Sequence, residues 1–161
     1  MKLFSRSKKG KRAKKCVLVV DDEMFPRETM CHVLTECGFH ALGADCCAEA
    51  LRVMEKESPH LVLLDIQLPD EDGLTFLGQL KRKFPQVPVI MLTGLGYDES
   101  LMKTALQNGA SGYVGKDAGR GSVMVAIDEA LRKSRAAETG EEQEKKWKGT
   151  SGNSVFLCLS F

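Results

Sequence analysis

Leu61-Val62-Leu63-Leu64-Asp65, continuing into Ile66-Gln67-Leu68-Pro69-Asp70-Glu71-Asp72-Gly73, is the stretch that decides the fold. An aliphatic run without polar alternation ends in one acid. That is the pattern of a strand buried on both faces, not of one with a wet side. Pro69 and Gly73, with acids between them, then turn the chain. Asp65 is therefore expected at the carboxyl end of a central parallel strand, the rim where open α/β sheets bind their ligands.

Other stretches point to the same rim. Cys16-Val17-Leu18-Val19-Val20 runs into Asp21-Asp22-Glu23, and Val87-Pro88-Val89-Ile90-Met91-Leu92 into Thr93-Gly94. A weaker run, Ser111-Gly112-Tyr113-Val114-Gly115, leads to Lys116. Between them lie helical spacings. Met30, Val33, Leu34 and Cys37 mark a first helix, with Pro26 in its first turn and Gly38 past its end. Cys47, Ala50, Leu51 and Met54 mark a second, with Asp45 as its expected N-cap. Leu77, Leu80 and Phe84 mark a third, ending before Pro85. Met102, Ala105 and Leu106 mark a fourth, opened by Asp98. Val123, Ile127 and Ala130 mark a fifth, whose start is expected near Ser122 after the Gly119-Arg120-Gly121 loop. Phe39 to Ala44 reads as a weak edge strand. Five alternating βα units with right-handed crossovers put helices on both faces of the sheet.

The set Asp21-Asp22, Asp65, Thr93, Tyr113 and Lys116, with Pro69 and Gly73 after the central acid, resembles the receiver domain of bacterial response regulators, from Cys16 to about Arg135. The resemblance implies a flavodoxin-like, doubly wound (βα)5 three-layer α/β sandwich with strand order 2-1-3-4-5. It also implies that Asp65 is phosphorylated and that Thr93 and Lys116 contact the phosphoryl group. Mg²⁺ would be held directly by Asp22 and Asp65, through water by Asp21, and by the Gln67 backbone carbonyl. Thr93 and Tyr113 would form a switch in which the ring turns inward. One departure is Asp117, where most receivers have proline after the lysine. The Gly-Tyr-(two residues)-Lys-Asp pattern resembles the receiver branch that usually carries a C-terminal helix-turn-helix.

The 161 residues suit one domain with a substantial core. The net charge of +1 hides an asymmetry: residues 1–15 hold eight Lys/Arg and no acid, leaving a balance of −7 over the rest. Residues 1–15 are expected to be a disordered basic arm, 16–135 a receiver domain, and 136–161 a polar linker with a short apolar tail, too short for an output domain. The arm reads first as a solubilising tail and second as a contact for nucleic acid or an anionic membrane. The six cysteines form no C-x-x-C pair and complete no zinc spacing with the three histidines. They read as reduced, buried small hydrophobes, including Cys158 in the tail. No apolar run is long enough to cross a membrane and no secretory signal opens the chain, so a cytoplasmic protein is expected.

These readings converge on a single-domain response regulator rather than an ordinary enzyme. Its partners would be a sensor histidine kinase or histidine phosphotransfer protein, a downstream protein target, and a second copy joined through the fourth helix, fifth strand and fifth helix. The alternatives are a phosphorylation-independent scaffold, a nucleic-acid-associated protein using the arm, and a phosphatase of the haloacid dehalogenase class. The last wants a second Asp two positions after its nucleophile, where this chain has Gln67.

Overall fold

The computed structural model describes residues 14–94, 98–139 and 155–156. The basic arm up to residue 13, residues 140–154 and Cys158 lie outside the described residues. The elements run β1 (Cys16–Val20), α1 (Met24–Glu36), β2 (His40–Ala44), α2 (Cys47–Glu57), β3 (Leu61–Asp65), α3 (Gly73–Lys83), β4 (Val89–Thr93), α4 (Glu99–Gln107), β5 (Gly112–Gly115), α5 (Gly119–Thr139) and β6 (Val155–Phe156). The sheet order is β2-β1-β3-β4-β5-β6. The first five strands are parallel, in the expected order. The addition is β6, a two-residue strand from the apolar tail that pairs antiparallel with β5.

Strand alternation sorts the aliphatic runs onto two faces. Val17, Val19, Leu61, Leu63, Ile90, Leu92 and Val114 pack with Leu34 of α1 and with Val123, Ala126, Ile127 and Ala130 of α5. Leu18, Val20, Val62, Leu64, Val89 and Met91 pack with Ala50 and Met54 of α2, Phe76, Leu77 and Leu80 of α3, and Ala105 of α4. Every residue of β1, β3 and β4 is buried, and each large aliphatic side chain so buried contributes about 1.5–3 kcal/mol. β2, with only Ala44 buried, lies at the sheet edge, as its weak pattern indicates.

The helix ends follow the sequence with two corrections. Asp98 caps α4 by accepting the Ser100 and Leu101 N–H groups at 2.8 and 3.1 Å. Gly38, with φ +90°, takes the left-handed turn after α1. Asp45 is not the cap of α2. The helix starts one residue later than a cap at that position requires, and its own N-cap, Cys46, makes no side-chain cap bond. Asp70 from the β3–α3 loop does this work, accepting the Cys47 and Ala48 N–H groups at 3.1 and 3.2 Å. α5 begins at Gly119, not near Ser122. Gly119, with φ +72°, supplies the turn into it, and Arg120 pairs with Glu36 at 3.0 Å.

Among the described residues, five cysteines are free thiols; Cys16 and Cys47 are buried as expected, whereas Cys31, Cys37 and Cys46 are only partly buried, because they sit toward the outer sides and ends of the elements that carry them. Burial pushes the Cys16 and Cys31 thiols up. Burial together with a hydrogen bond to Asp70 pushes Cys47 up to about 12, so the buried thiols stay protonated and unreactive at neutral pH. No helix among the described residues is long and apolar enough to cross a membrane.

Two stability predictions follow from this packing. Phe76 has no exposed surface, so Phe76→Ala lowers unfolding free energy by about 3–5 kcal/mol, read as a lower urea midpoint at an unchanged m-value. For Asp70, burial alone would raise the carboxyl, but the Cys47 and Ala48 N–H groups outweigh it and hold the carboxyl below its ordinary value. A depressed carboxyl contributes stability above its unfolded pKa and loses it as pH falls through the folded one. Asp70→Ala therefore costs about 1 kcal/mol at pH 7. The gap in melting temperature from the native chain closes as pH falls below the ordinary carboxylate range.

Candidate functional site

The strand order reverses at β1 and β3, and the crevice beyond their carboxyl ends is the ligand position of such a sheet. Asp21 leaves β1 there, Asp65 ends β3, Thr93 ends β4 and Lys116 follows β5. Register brings them level: Leu64 pairs with Val20 on one side and Met91 on the other, and Met91 pairs with Tyr113. The Lys116 N–H donates to the Thr93 carbonyl at 2.7 Å, fixing the lysine beside β4. Its ammonium lies 2.7 Å from Oδ2 of both Asp21 and Asp65, and 3.5 Å from Glu23 Oε1.

Backbone contacts fix the acids. Oδ1 of Asp21 accepts the Glu23 N–H at 3.0 Å, and Oδ1 of Asp65 accepts the Gln67 N–H at 3.3 Å. Arg27 reaches back from α1 to donate to the Asp21 and Asp22 carbonyls at 2.6 and 3.3 Å. Gly73 closes the loop after Asp65, its N–H donating to the Ile66 carbonyl at 2.8 Å. A Cβ at Gly73 would stand 2.2 Å from the Asp65 carbonyl oxygen and 2.7 Å from that of Ile66. The backbone thus excludes any side chain at this position.

Asp21 and Asp65 are only 1% and 4% exposed, so their electrostatics are those of buried charges. Burial pushes the Asp65 carboxyl up and Asp21 adds to this, while Lys116 and the Gln67 N–H oppose it; the net direction is upward. Burial alone would depress Lys116, but its bonds to Asp21 and Asp65 win and hold it firmly protonated. The ammonium is therefore the charge that makes two buried acids tolerable.

Oxygens of Asp21, Asp22 and Asp65 lie within 4.8 Å of one another. This set is compatible with Mg²⁺, a hard cation that takes carboxylate oxygens and keeps several waters. Asp22 is the exposed member, open to a hydrated ion. Thr93 is 2% exposed, and Tyr113, on the same sheet face two rungs below it, is 3% exposed. The tyrosine ring packs with Met91 and Ala105 on the α4 side of the sheet. It is already buried, so the expected inward turn is not needed to reach this position.

Every sequence-predicted site residue therefore lies at or beside this rim. Three contributors went unforeseen: Glu23, Arg27 and Asp70. Glu23 adjoins the acidic pair and the sequence offered that signal. Arg27 and Asp70 act by folding back on other elements, which no local pattern reveals.

Known proteins share this sequence family and fold. Residues 17–128 match the family profile described as the response regulator receiver domain. The phosphate regulon transcriptional regulatory protein PhoB of Shigella flexneri is 33% identical over 139 residues, covering 85% of this chain and 59% of that protein. PhoB of Escherichia coli K12 is 34% identical over 119 residues, covering 73% and 52%. The chain thus spans little more than half the length of these relatives. Among solved structures, NtrX from Brucella abortus superposes with a TM-score of 0.75 at 29% identity, over 79% of this chain and 29% of that one. A CheY-like receiver domain protein from Methanospirillum hungatei superposes with a TM-score of 0.72 at 27% identity, over 78% and 99%. A profile match across most of the folded region, joined to this sheet order and these identities, leaves one conclusion: the chain belongs to the receiver domains of two-component response regulators.

Proposed function

We propose that Asp65 accepts a phosphoryl group from a phosphohistidine on a sensor kinase or histidine phosphotransfer protein, and that the signal leaves through protein contacts. The observation that carries this reading is the Lys116 ammonium, 2.7 Å from both Asp65 and Asp21 at the end of the central strand. In the transfer, an Asp65 carboxylate oxygen forms a bond to phosphorus while the phosphorus–nitrogen bond breaks. The imidazole leaves neutral, its other nitrogen carrying a proton. Such transfers rest on positioning and charge neutralisation more than on covalent help from the protein.

Asp22 and Asp65 would hold Mg²⁺ directly, with Asp21 acting through water and Gln67 through its backbone carbonyl. When bound, the ion neutralises negative charge on the phosphoryl oxygens. Lys116 supplies the second cation, and the Thr93 hydroxyl donates to a phosphoryl oxygen. Phosphorylation adds about −1.5 to −2 charges and strong acceptor oxygens at Asp65. Drawn toward them, Thr93 loosens its packing above the buried Tyr113. The pair then biases the face made by α4, β5 and α5, the proposed surface for a downstream target or a second copy, which would meet α4 and α5 beside β6 or displace β6 from the β5 edge it covers.

Asp65→Asn removes the nucleophile but keeps the side-chain shape. It abolishes Mg²⁺-dependent labelling by a small phosphodonor with an unchanged circular dichroism spectrum; a fully labelled variant would discard the assignment. Lys116→Met strips two buried acids of their cation. It costs about 3–5 kcal/mol at neutral pH, and the loss shrinks both on adding Mg²⁺ and on acidification, which neutralises the acids. A melting temperature equal to the native chain's would contradict the charge argument. Beryllofluoride shifts the amides of Thr93, Tyr113 and α4 more than those of α2. Shifts confined to Asp21, Asp22 and Asp65 would refute the output route.

A further inference from the structure

We propose that Arg27 is a positioning residue for the acid pair at the end of β1, and that Gly43 of β2 provides the space through which it acts. The inference deepens the phosphoacceptor reading and rests on it for the identity of the ion as Mg²⁺. Lys116 reaches Asp21, Asp65 and Glu23, so the exposed Asp22 is not held by the ammonium that fixes its neighbours. The following helix does not anchor this loop from its own start either, since Glu23, the N-cap of α1, makes no side-chain cap bond. Arg27 supplies the hold from the first turn of α1. Its Nη1 donates to the Asp21 carbonyl at 2.6 Å and to the Asp22 carbonyl at 3.3 Å. A peptide unit is planar, and these two carbonyls belong to the two units that meet at the Asp22 Cα. Fixing both planes fixes the direction in which the Asp22 side chain leaves the backbone. The second plane is held at its other end too, because the Glu23 N–H donates to Asp21 Oδ1 at 3.0 Å. One guanidinium thus sets the exposed carboxylate relative to the buried one, where oxygens of Asp21, Asp22 and Asp65 lie within 4.8 Å of one another.

The course of the arginine accounts for a glycine. Gly43 lies within β2, opposite Val19 of β1. It is not among the glycines with positive φ, so its backbone conformation does not call for glycine. A glycine inside a strand weakens it and often marks the close approach of another group. A Cβ there would stand 3.3 Å from Arg27 Cδ, 3.4 Å from Cγ and 3.6 Å from Nε. The stem of Arg27 therefore lies across the edge strand at a residue without a side chain. The same strand is tied to the acid loop by the Asp21 N–H, which donates to the Ala44 carbonyl at 3.1 Å. Positioning and charge predict opposite signs for the metal. A cation behind a metal site repels the ion, so losing it would tighten binding. Losing a group that orients a ligand weakens binding.

The test is a Mg²⁺ titration of the full-length chain, followed through the amide shifts of Asp21, Asp22 and Asp65 at constant ionic strength, with a thermal melt of each variant. Arg27→Met keeps the stem and removes the donors, and it weakens Mg²⁺ binding about tenfold. Arg27→Lys, one bond shorter, recovers part of that loss. Gly43→Val leaves the arginine and its charge in place but crowds the stem off its track, and it too weakens Mg²⁺ binding about tenfold. Valine suits a strand better than glycine, so the melting temperature of Gly43→Val does not fall. Lost metal affinity without lost stability separates positioning from a general structural role. Should Arg27→Met unfold, Gly43→Val and Arg27→Lys carry the test. Native affinity in Arg27→Met or in Gly43→Val overturns the proposal, and tighter binding in Arg27→Met overturns it in favour of charge repulsion. A titration that moves no amide of the native chain overturns the Mg²⁺ reading instead. The positioning role is then read without metal, from hydrogen exchange at the Glu23 amide: severalfold faster exchange in Arg27→Met supports it, and an unchanged rate overturns it.

Discussion

One ammonium group holds the rim together. Asp21 and Asp65 are almost fully buried, and two carboxylates in that environment repel each other while each loses its hydration. Lys116, 2.7 Å from both, offsets the repulsion. That single contact requires the loop after β5 to run back over the ends of β1 and β3. To do so the loop crosses the end of β4, which lies between β3 and β5 and whose Thr93 carbonyl accepts the Lys116 N–H.

What could be read in the sequence was whatever one chain segment states alone. The runs ending at Val20, Asp65 and Thr93 announce buried strands because aliphatic residues without alternation have no other stable placement. Their terminal acids, hydroxyl and lysine then fall together once the sheet is parallel. Asp98 could be recognised as a cap because its partners, Ser100 and Leu101, are its neighbours in sequence. Asp70 could not, because it caps a helix more than twenty residues away. Asp45 has the right residue type one position too early, so its nearness in sequence does not bring it to the first N–H groups of α2. The start of α5 was misplaced for a related reason. Two glycines suggest a loop, but Gly119 supplies only the turn, and the helix begins there with Arg120 paired to Glu36 of α1.

The loop from Ile66 to Gly73 shows how a small site is held without bulk. Its base is closed by the Gly73–Ile66 hydrogen bond and its tip by the Asp70 bonds to α2. Leu68 packs against the core between them. Gln67, whose N–H touches Asp65, is carried on a segment anchored at both ends. Positional precision at Asp65 is thus drawn from contacts that never touch the carboxylate.

The short β6 has a consequence for behaviour in a crowded solution. An uncovered sheet edge presents a row of unsatisfied backbone groups on which another chain can grow a strand, the first step toward strand-by-strand aggregation. In the described sheet the flank of β5 is covered by Val155–Phe156, and the covering strand is too short to template much growth of its own. The opposite flank is β2, five residues long with His40 and Gly43 exposed, a poor surface for apolar strand pairing. Among the described residues, both edges of the sheet are therefore poor templates for the addition of further strands.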